Sequence, residues 1–134
     1  MRDDDGSVLL LTLGYALVAL ALLFVSVCAT DLYISQKRID SLADAAALAG
    51  ADGFMVVVDG TTARADLTDE GVREQALALV AGWPGEASVV SATAPDGLSA
   101  RVTVAAEWNP PLLSLFVPDG LRLEATGTSR TALR

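Results

Sequence analysis

Few side chains in this sequence could perform chemistry. The chain has no histidine and one cysteine, Cys28, which lies in an apolar stretch. It therefore lacks the usual general base and an exposed strong nucleophile. Asp66, Asp69 and Glu70 lie close together in sequence, but they lack the alternating ligands and central glycine of a calcium loop. We interpret them as capping and solubilising groups. With no glycine-rich phosphate loop either, the sequence predicts a protein that is not an enzyme and has no metal, cofactor or small-molecule substrate.

Cys28 cannot form a disulfide within the chain, because it is the only cysteine. It could pair with another chain or carry a lipid, although the preceding Val25-Ser26-Val27 puts valine where a lipidation motif requires a small residue. We favour a plain thiol buried in the membrane. The folded part of the chain must then be held together by packing.

The overall charge argues against nucleic acid as a partner. Nine basic and 17 acidic residues give a net charge of −8. Binding to phosphates needs a basic face that can release counterions, and the composition provides no such excess.

The N-terminal part of the chain predicts a membrane helix. Residues 8–29 carry no charge, and a helix of this length spans about 33 Å, close to the hydrocarbon core of a bilayer. A secretory signal usually has a shorter apolar region behind basic residues, whereas here Arg2 precedes three aspartates. Cleavage after Ala29 stays open as an alternative, because Val27-Cys28-Ala29 is acceptable to signal peptidase.

The charges flanking this helix do not decide its orientation. Arg2 and the terminal amine precede it, and Lys37 and Arg38 follow it. The two sides carry equal numbers of positive charges, so the positive-inside rule favours neither orientation. A long C-terminal domain can cross the membrane largely regardless of its charge. We therefore predict a single-pass protein with its N-terminus inside and its C-terminus outside.

We expect the helix to continue beyond the membrane, because residues 31–49 contain neither proline nor glycine. Apolar and small residues recur on one face at helical spacing. Alanine is the best helix former, but small residues also let another backbone approach closely, and the sequence allows both interpretations. The members of this helix-packing seam are Leu32, Ile39, Leu42, Ala46, Ala49 and Gly50.

The remaining residues are enough for one small domain. Residues 54–58 are mostly β-branched and predict a strand, which the Asp59-Gly60 turn ends. Residues 61–67 are predominantly polar and predict a loop. The predicted organisation is a leader over 1–6, a transmembrane helix over 7–30, a helical extension over 31–50 and an extracytoplasmic α+β domain over 51–134.

A second helix is predicted after Thr68, whose side chain can cap it. Asp69 and Glu70 in the first turn interact favourably with the positive end of the helix dipole. Gly82 and Pro84 end the helix. One of its faces should lie on a sheet. The residues of that face are Val72, Ala76, Leu79, Val80 and Trp83.

The clearest strand covers residues 98–108, where apolar and polar residues alternate with a period of two. A weaker strand covers 88–94, and Pro95-Asp96-Gly97 provides the turn of an antiparallel hairpin. A last strand begins near Leu121 and runs toward Arg130. The predicted inward face of the main strand is Leu98, Ala100, Val102, Val104, Ala106 and Trp108.

The segment 109–118 is predicted to be a short helix, with Asn109 as its cap and Pro110 in its first turn. It is strongly apolar. Such a helix either covers the sheet or presents an exposed patch that docks on a membrane or a partner subunit. Together these elements predict a small antiparallel sheet with a covering helix, joined to a long N-terminal helix.

This layout resembles the TadE/TadG-like minor pilins of the Tad (Flp) pilus-assembly family. The similarity is strongest over residues 6–51, where a short leader ends in glycine and is followed at once by the apolar helix. It then continues in a basic, glutamine-bearing turn and an Asp-Ala-Ala-rich stretch. The residues of this family-like motif are Gln36, Lys37, Arg38, Asp44, Ala45, Ala46 and Ala47.

The resemblance implies a pilin-like fold in the bacterial cytoplasmic membrane, with pilus or pseudopilus subunits and their assembly machinery as partners. Gly6 and Ser7 would form the junction that a prepilin peptidase cuts. Major type IV pilins carry glutamate five residues after this cut, where the present chain has Leu11. Leucine cannot pair with a neighbour's terminal amine, so the resemblance implies a minor or membrane-held component. The alternative is a membrane-anchored or secreted binding module that uses the helix only as a tether or signal sequence.

Overall fold

The computed structural model describes residues 2–114, 116 and 118–132. The chain is an α+β protein with one long N-terminal apolar helix, a β-hairpin, a second helix and a small antiparallel sheet. The sheet has the strand order β3-β4-β5. The elements are α1 (Arg2–Asp52), β1 (Met55–Asp59), β2 (Thr62–Asp66), α2 (Asp69–Ala81), β3 (Ala87–Thr93), β4 (Ser99–Trp108) and β5 (Leu121–Arg130).

The predicted continuation of the first helix is confirmed, since α1 is one unbroken helix of 51 residues. Its C-terminal part packs on β4 and β5 and against α2, which also contacts β3. Leu42, Val72, Val102 and Val104 are the largest fully buried side chains of the resulting core. The domain that we term the head therefore consists of the sheet, α2 and the last third of α1, rather than of residues 51–134 alone.

The predicted second helix is confirmed, with Thr68 as its N-cap and Gly82 as its C-cap. The Thr68 hydroxyl oxygen accepts a hydrogen bond from the Gly71 amide at 3.1 Å. Val72, Ala76 and Val80 are buried, whereas Leu79 is 36% exposed. The prediction that Leu79 faces the core was wrong, because the buried stripe advances by four residues and leaves Leu79 to one side of it.

The three predicted strands of the sheet are confirmed. β4 pairs with β3 from Ala106↔Ala87 to Arg101↔Thr93, with a register irregularity between Val89 and Ser91, and with β5 along its whole length. Ala100, Val102 and Val104 are fully buried, as their alternation predicts. Leu98 is 44% exposed, contrary to prediction, because it lies in the turn before β4 begins.

The prediction of a loop over residues 61–67 was wrong. Thr62–Asp66 forms β2, which pairs antiparallel with β1 in a separate two-stranded sheet. Only Ala65 of this hairpin is buried, so hydrophobic alternation gave no signal. Local backbone pairing around Gly60, which has a φ of +64°, forms the hairpin instead.

The predicted short helix over residues 109–118 was also wrong. The described part of this segment forms turns, and Leu112 has a φ of +65°. Asn109 and Pro110 each precede a proline, which disfavours the helical conformation at both positions. Pro111 therefore disfavours the helical conformation at Pro110, the first position of the predicted helix.

Candidate functional site

Among the described residues, nothing covers the apolar surface of the N-terminal half of α1. Thirteen large apolar side chains between Val8 and Val27 are each at least 57% exposed. The helix has a mean hydropathy of 2.7 over its most apolar window, none of which is buried, and it is long and apolar enough to cross a membrane. Water is a poor solvent for such a surface, so this half of α1 is the first candidate functional surface.

The predicted cleavage junction lies on this exposed half. Gly6 and Ser7 are exposed and helical. Apart from its chain neighbours and the surrounding helix backbone, no heavy atom of the described residues lies within 4 Å of the position that a Cβ would take at Gly6. Leu11 is 61% exposed. Cys28 is a free, partly buried thiol further along the same helix.

The helix-packing seam lies in the core of the chain's own head. Leu42 and Ala46 are fully buried and Ile39 is 6% exposed, while Leu32 packs at the edge of the core. Gly50 is buried and Ala49 is partly buried. These small residues therefore lie where another part of the chain packs closely on the helix. The surface that they contact belongs to the chain's own head.

Two glycines explain why small residues are needed here. A Cβ at Gly50 would lie 2.8 Å from Val72 Cγ1 of α2. A Cβ at Gly127 of β5 would collide with the Ala43 carbonyl group and lie 2.7 Å from the Asp44 amide nitrogen. The helix backbone thus rests almost directly on the strand backbone at Gly127.

The family-like motif is divided between the core and the surface. The Gln36 amide nitrogen donates hydrogen bonds to the backbone oxygen of Glu124 at 3.2 Å and to Asp40 Oδ1 at 3.0 Å. Lys37 forms an exposed 3.4 Å ion pair with Asp40. Gln36 therefore ties α1 to β5. Of the other motif residues, Ala46 and Ala47 are buried and Arg38, Asp44 and Ala45 are exposed.

A contact that sequence reasoning missed lies where the two halves of α1 meet. The Trp108 indole nitrogen donates a 2.7 Å hydrogen bond to Asp31 Oδ2. Asp31 is the first charged residue after the apolar run, and Trp108 is the last residue of β4. Two residues separated by 77 positions gave no pattern in sequence that could have paired them.

Trp108 leads into the β4–β5 loop (residues 109–120). Leu112 and Phe116 of this loop are each 80% exposed. The interpretation that the segment covers the sheet was wrong for these two side chains, and the exposed-patch interpretation fits them. Leu115 and Val117 lie outside the described residues.

The carboxylates singled out from the sequence do not form a metal site. Asp69 Oδ1 accepts a 2.6 Å hydrogen bond from the Ala94 amide and so ties the start of α2 to the end of β3. Within residues 2–114, 116 and 118–132, no three His, Cys, Asp or Glu residues are grouped closely enough to hold a metal ion.

One carboxyl group in the head has a perturbed acidity. The backbone amide of Leu98 and the hydroxyl and amide of Ser99 donate to Asp96, and they hold the pKa of this carboxyl below its usual value. Hydrogen bonds to the ionised form have this effect. The group stabilises the β3–β4 turn, which also contains Gly97 at a φ of +69°.

Comparison of the chain with protein-family models, with curated proteins and with solved structures gives no match. The resemblance to TadE/TadG-like proteins therefore rests on the sequence features described above.

Proposed function

We propose that this chain is a non-enzymatic, membrane-held subunit of a pilus or related secretion apparatus, of the TadE/TadG-like kind. One observation carries the proposal. The exposed apolar half of α1 continues without interruption into the core of the head, so a single rigid element joins the membrane to the folded domain.

A tether does not need this rigidity. A binding module that is simply anchored works with a flexible linker of glycine, serine or proline. Here residues 15–49 contain neither glycine nor proline. Hydrogen bonds from Trp108 to Asp31 and from Gln36 to Glu124 also hold β4 and β5 against α1. A fixed orientation is useful when the head and the helix must both contact neighbouring subunits at once.

The resemblance supports the same class of function. The basic turn at Gln36 lies where the chain leaves the apolar region, and the Asp-Ala-Ala-rich stretch lies in the head core. Leu11 replaces the glutamate of major pilins, which favours a minor or assembly component over a main shaft subunit. In this proposal the C-terminal head is outside the cytoplasmic membrane, and Gly6-Ser7 is a candidate substrate for prepilin peptidase.

The mature N-terminus tests which role the helix has. The intact mass of the chain extracted from its own membranes gives this end directly. A start at Ser7 supports a processed pilin-like subunit, and an uncut chain supports a membrane-held assembly component. A start at Thr30 would refute the proposal, because the chain would then be a secreted module without its apolar helix.

A pair of insertions separates an assembly subunit from a tether. Seven Gly/Ser residues inserted after Ala29 break the rigid connection, whereas seven Ala/Leu residues at the same point lengthen the helix without breaking it. We expect the flexible insertion to abolish incorporation into a membrane complex, as resolved by native electrophoresis of mild detergent extracts, and the helical insertion to preserve more of it. Equal incorporation of both variants and the wild type would refute the proposal in favour of a tether.

A further inference from the structure

The β4–β5 loop exposes apolar side chains on an otherwise acidic chain. Residues 109–118 carry no charge, and Leu112 and Phe116 are each 80% exposed. Leu112 also has a φ of +65°, a conformation that leucine rarely adopts. Among the described residues of the loop, Pro110 is buried and Leu113 is partly buried, so these two side chains anchor the loop while Leu112 and Phe116 remain exposed.

The loop lies at the end of the head from which the apolar half of α1 emerges. Three contacts between the sheet and α1 establish this. Gly127 meets Ala43, Glu124 accepts a hydrogen bond from Gln36, and Trp108 donates one to Asp31. From Gly127 toward the N-terminal end of β5, the strand therefore runs along α1 toward its apolar half.

The positions of these contacts along the axis of α1 locate the loop more closely. Three residues of a strand and seven residues of a helix both advance about 10 Å, which is the step from Glu124 to Gly127 and from Gln36 to Ala43. The same step in the other direction reaches Leu121 on β5 and Ala29 on α1. Because Leu121 pairs with Trp108, both ends of the loop are level with the end of the uncharged run.

We propose that the β4–β5 loop is a second membrane contact, in which Leu112 and Phe116 enter the interfacial region of the leaflet from which α1 emerges. This inference rests on the membrane anchoring in the proposed function. Lipid is the occupant that the geometry favours, since an apolar loop beside the end of a membrane span meets the bilayer surface. Trp108 and the exposed Tyr33 lie at this level, where aromatic residues are enriched in membrane proteins.

The experiment measures the depth of single labels in the full chain, reconstituted in phosphatidylcholine vesicles. In a Cys28→Ser background, an environment-sensitive fluorophore is attached at Ser114→Cys, between the two apolar residues, or at Thr61→Cys, in the exposed turn of the β1–β2 hairpin that follows the C-terminal end of α1. A third label at Leu20→Cys reports on the span itself. Lipids carry a spin-label quencher either near the headgroup or near the chain end.

The three labels give distinguishable results. We expect shallow quenchers to extinguish the Ser114 label more than deep ones, deep quenchers to extinguish the Leu20 label more, and neither to affect the Thr61 label. The additional change of Leu112→Ser with Phe116→Ser should reduce quenching at Ser114 to that at Thr61. Both side chains are exposed, so this change leaves the core intact.

Several outcomes would overturn the inference. If the Leu20 label is quenched and the Ser114 label is not, the anchor stands and the loop contact is wrong. If the Leu20 label is not quenched, the proposed membrane anchoring fails as well. A blue shift at Ser114 without lipid quenching, growing with the protein-to-lipid ratio, would assign the loop to a second copy of the chain instead.

Discussion

The close approach of β5 to α1 predicts a large effect of a single methyl group. In Gly127→Ala, the new Cβ would collide with the backbone of Ala43 and lie 2.7 Å from the Asp44 amide nitrogen. Ordinary contact distances are about 3.5–4.0 Å, so helix and strand must separate by about 1 Å. Neither contact is a flexible side chain that could move aside. A gap of this size forfeits a quarter to a half of the dispersion energy at each affected contact.

We expect Gly127→Ala to lower the free energy of unfolding of the head by about 3 kcal/mol, at the upper end of the usual cost of overpacking. For a domain of this size the midpoint of thermal unfolding would fall by roughly 12–24 °C. The change can be measured by urea unfolding of the chain in detergent micelles, with the fluorescence of Trp83 and Trp108 as the signal. Both tryptophans pack against the core.

Gly82→Ala is the matched control, because its Cβ would make only an ordinary 3.5 Å contact with the Leu79 carbonyl oxygen. Its backbone is in the right-handed helical region, so alanine introduces no strain. We expect it to change stability by less than about 0.5 kcal/mol. A Gly127→Ala variant as stable as this control would show that β5 does not rest on the α1 backbone.

Two further predictions concern hydrogen bonds of carboxylates. Because the pKa of Asp96 is lowered in the folded state, the ionised carboxylate stabilises the fold at a pH above the pKa that it has in the unfolded chain, and this stabilisation is lost as the pH falls below about 4. Asp96→Asn should therefore make the free energy of unfolding depend less on pH in the acid range. An unchanged pH dependence would contradict this. Asp31→Ala removes the acceptor of the Trp108 indole and should cost about 1 kcal/mol in urea unfolding. Asp31→Asn, which keeps an acceptor oxygen, should cost less; equal costs would contradict the contact.

Much of the fold could be predicted because its elements have strong local signals. Ala100, Val102 and Val104 alternate with polar residues and form the buried face of β4. Thr68 provides a cap, and Gly82 ends the helix. The unbroken α1 follows from a long stretch without proline or glycine. Each of these features depends on neighbours in sequence.

The parts that could not be predicted depend on contacts between distant residues. Thr62–Asp66 forms a strand through backbone pairing with β1, without a hydrophobic pattern of its own. The seam at Leu42 and Ala46 was recognisable as a packing surface, but its helical spacing does not specify whether the partner is another subunit or the chain's own sheet. Trp108 and Asp31 form the candidate membrane boundary only after β4 has been laid along α1.

The unbroken helix just before Asp31, which accepts a hydrogen bond from Trp108 of the sheet, also sets the direction in which the head faces around the helix axis. Each helical residue turns the chain by about 100° and raises it by about 1.5 Å. Deleting one residue here would rotate the head by about 100° around the axis of the apolar half of α1, and the β4–β5 loop would rotate with it. Inserting 7 or 11 residues returns the head to within about 20° of its starting direction. Changes of length in this stretch that keep the same face toward a neighbour should therefore come in these steps.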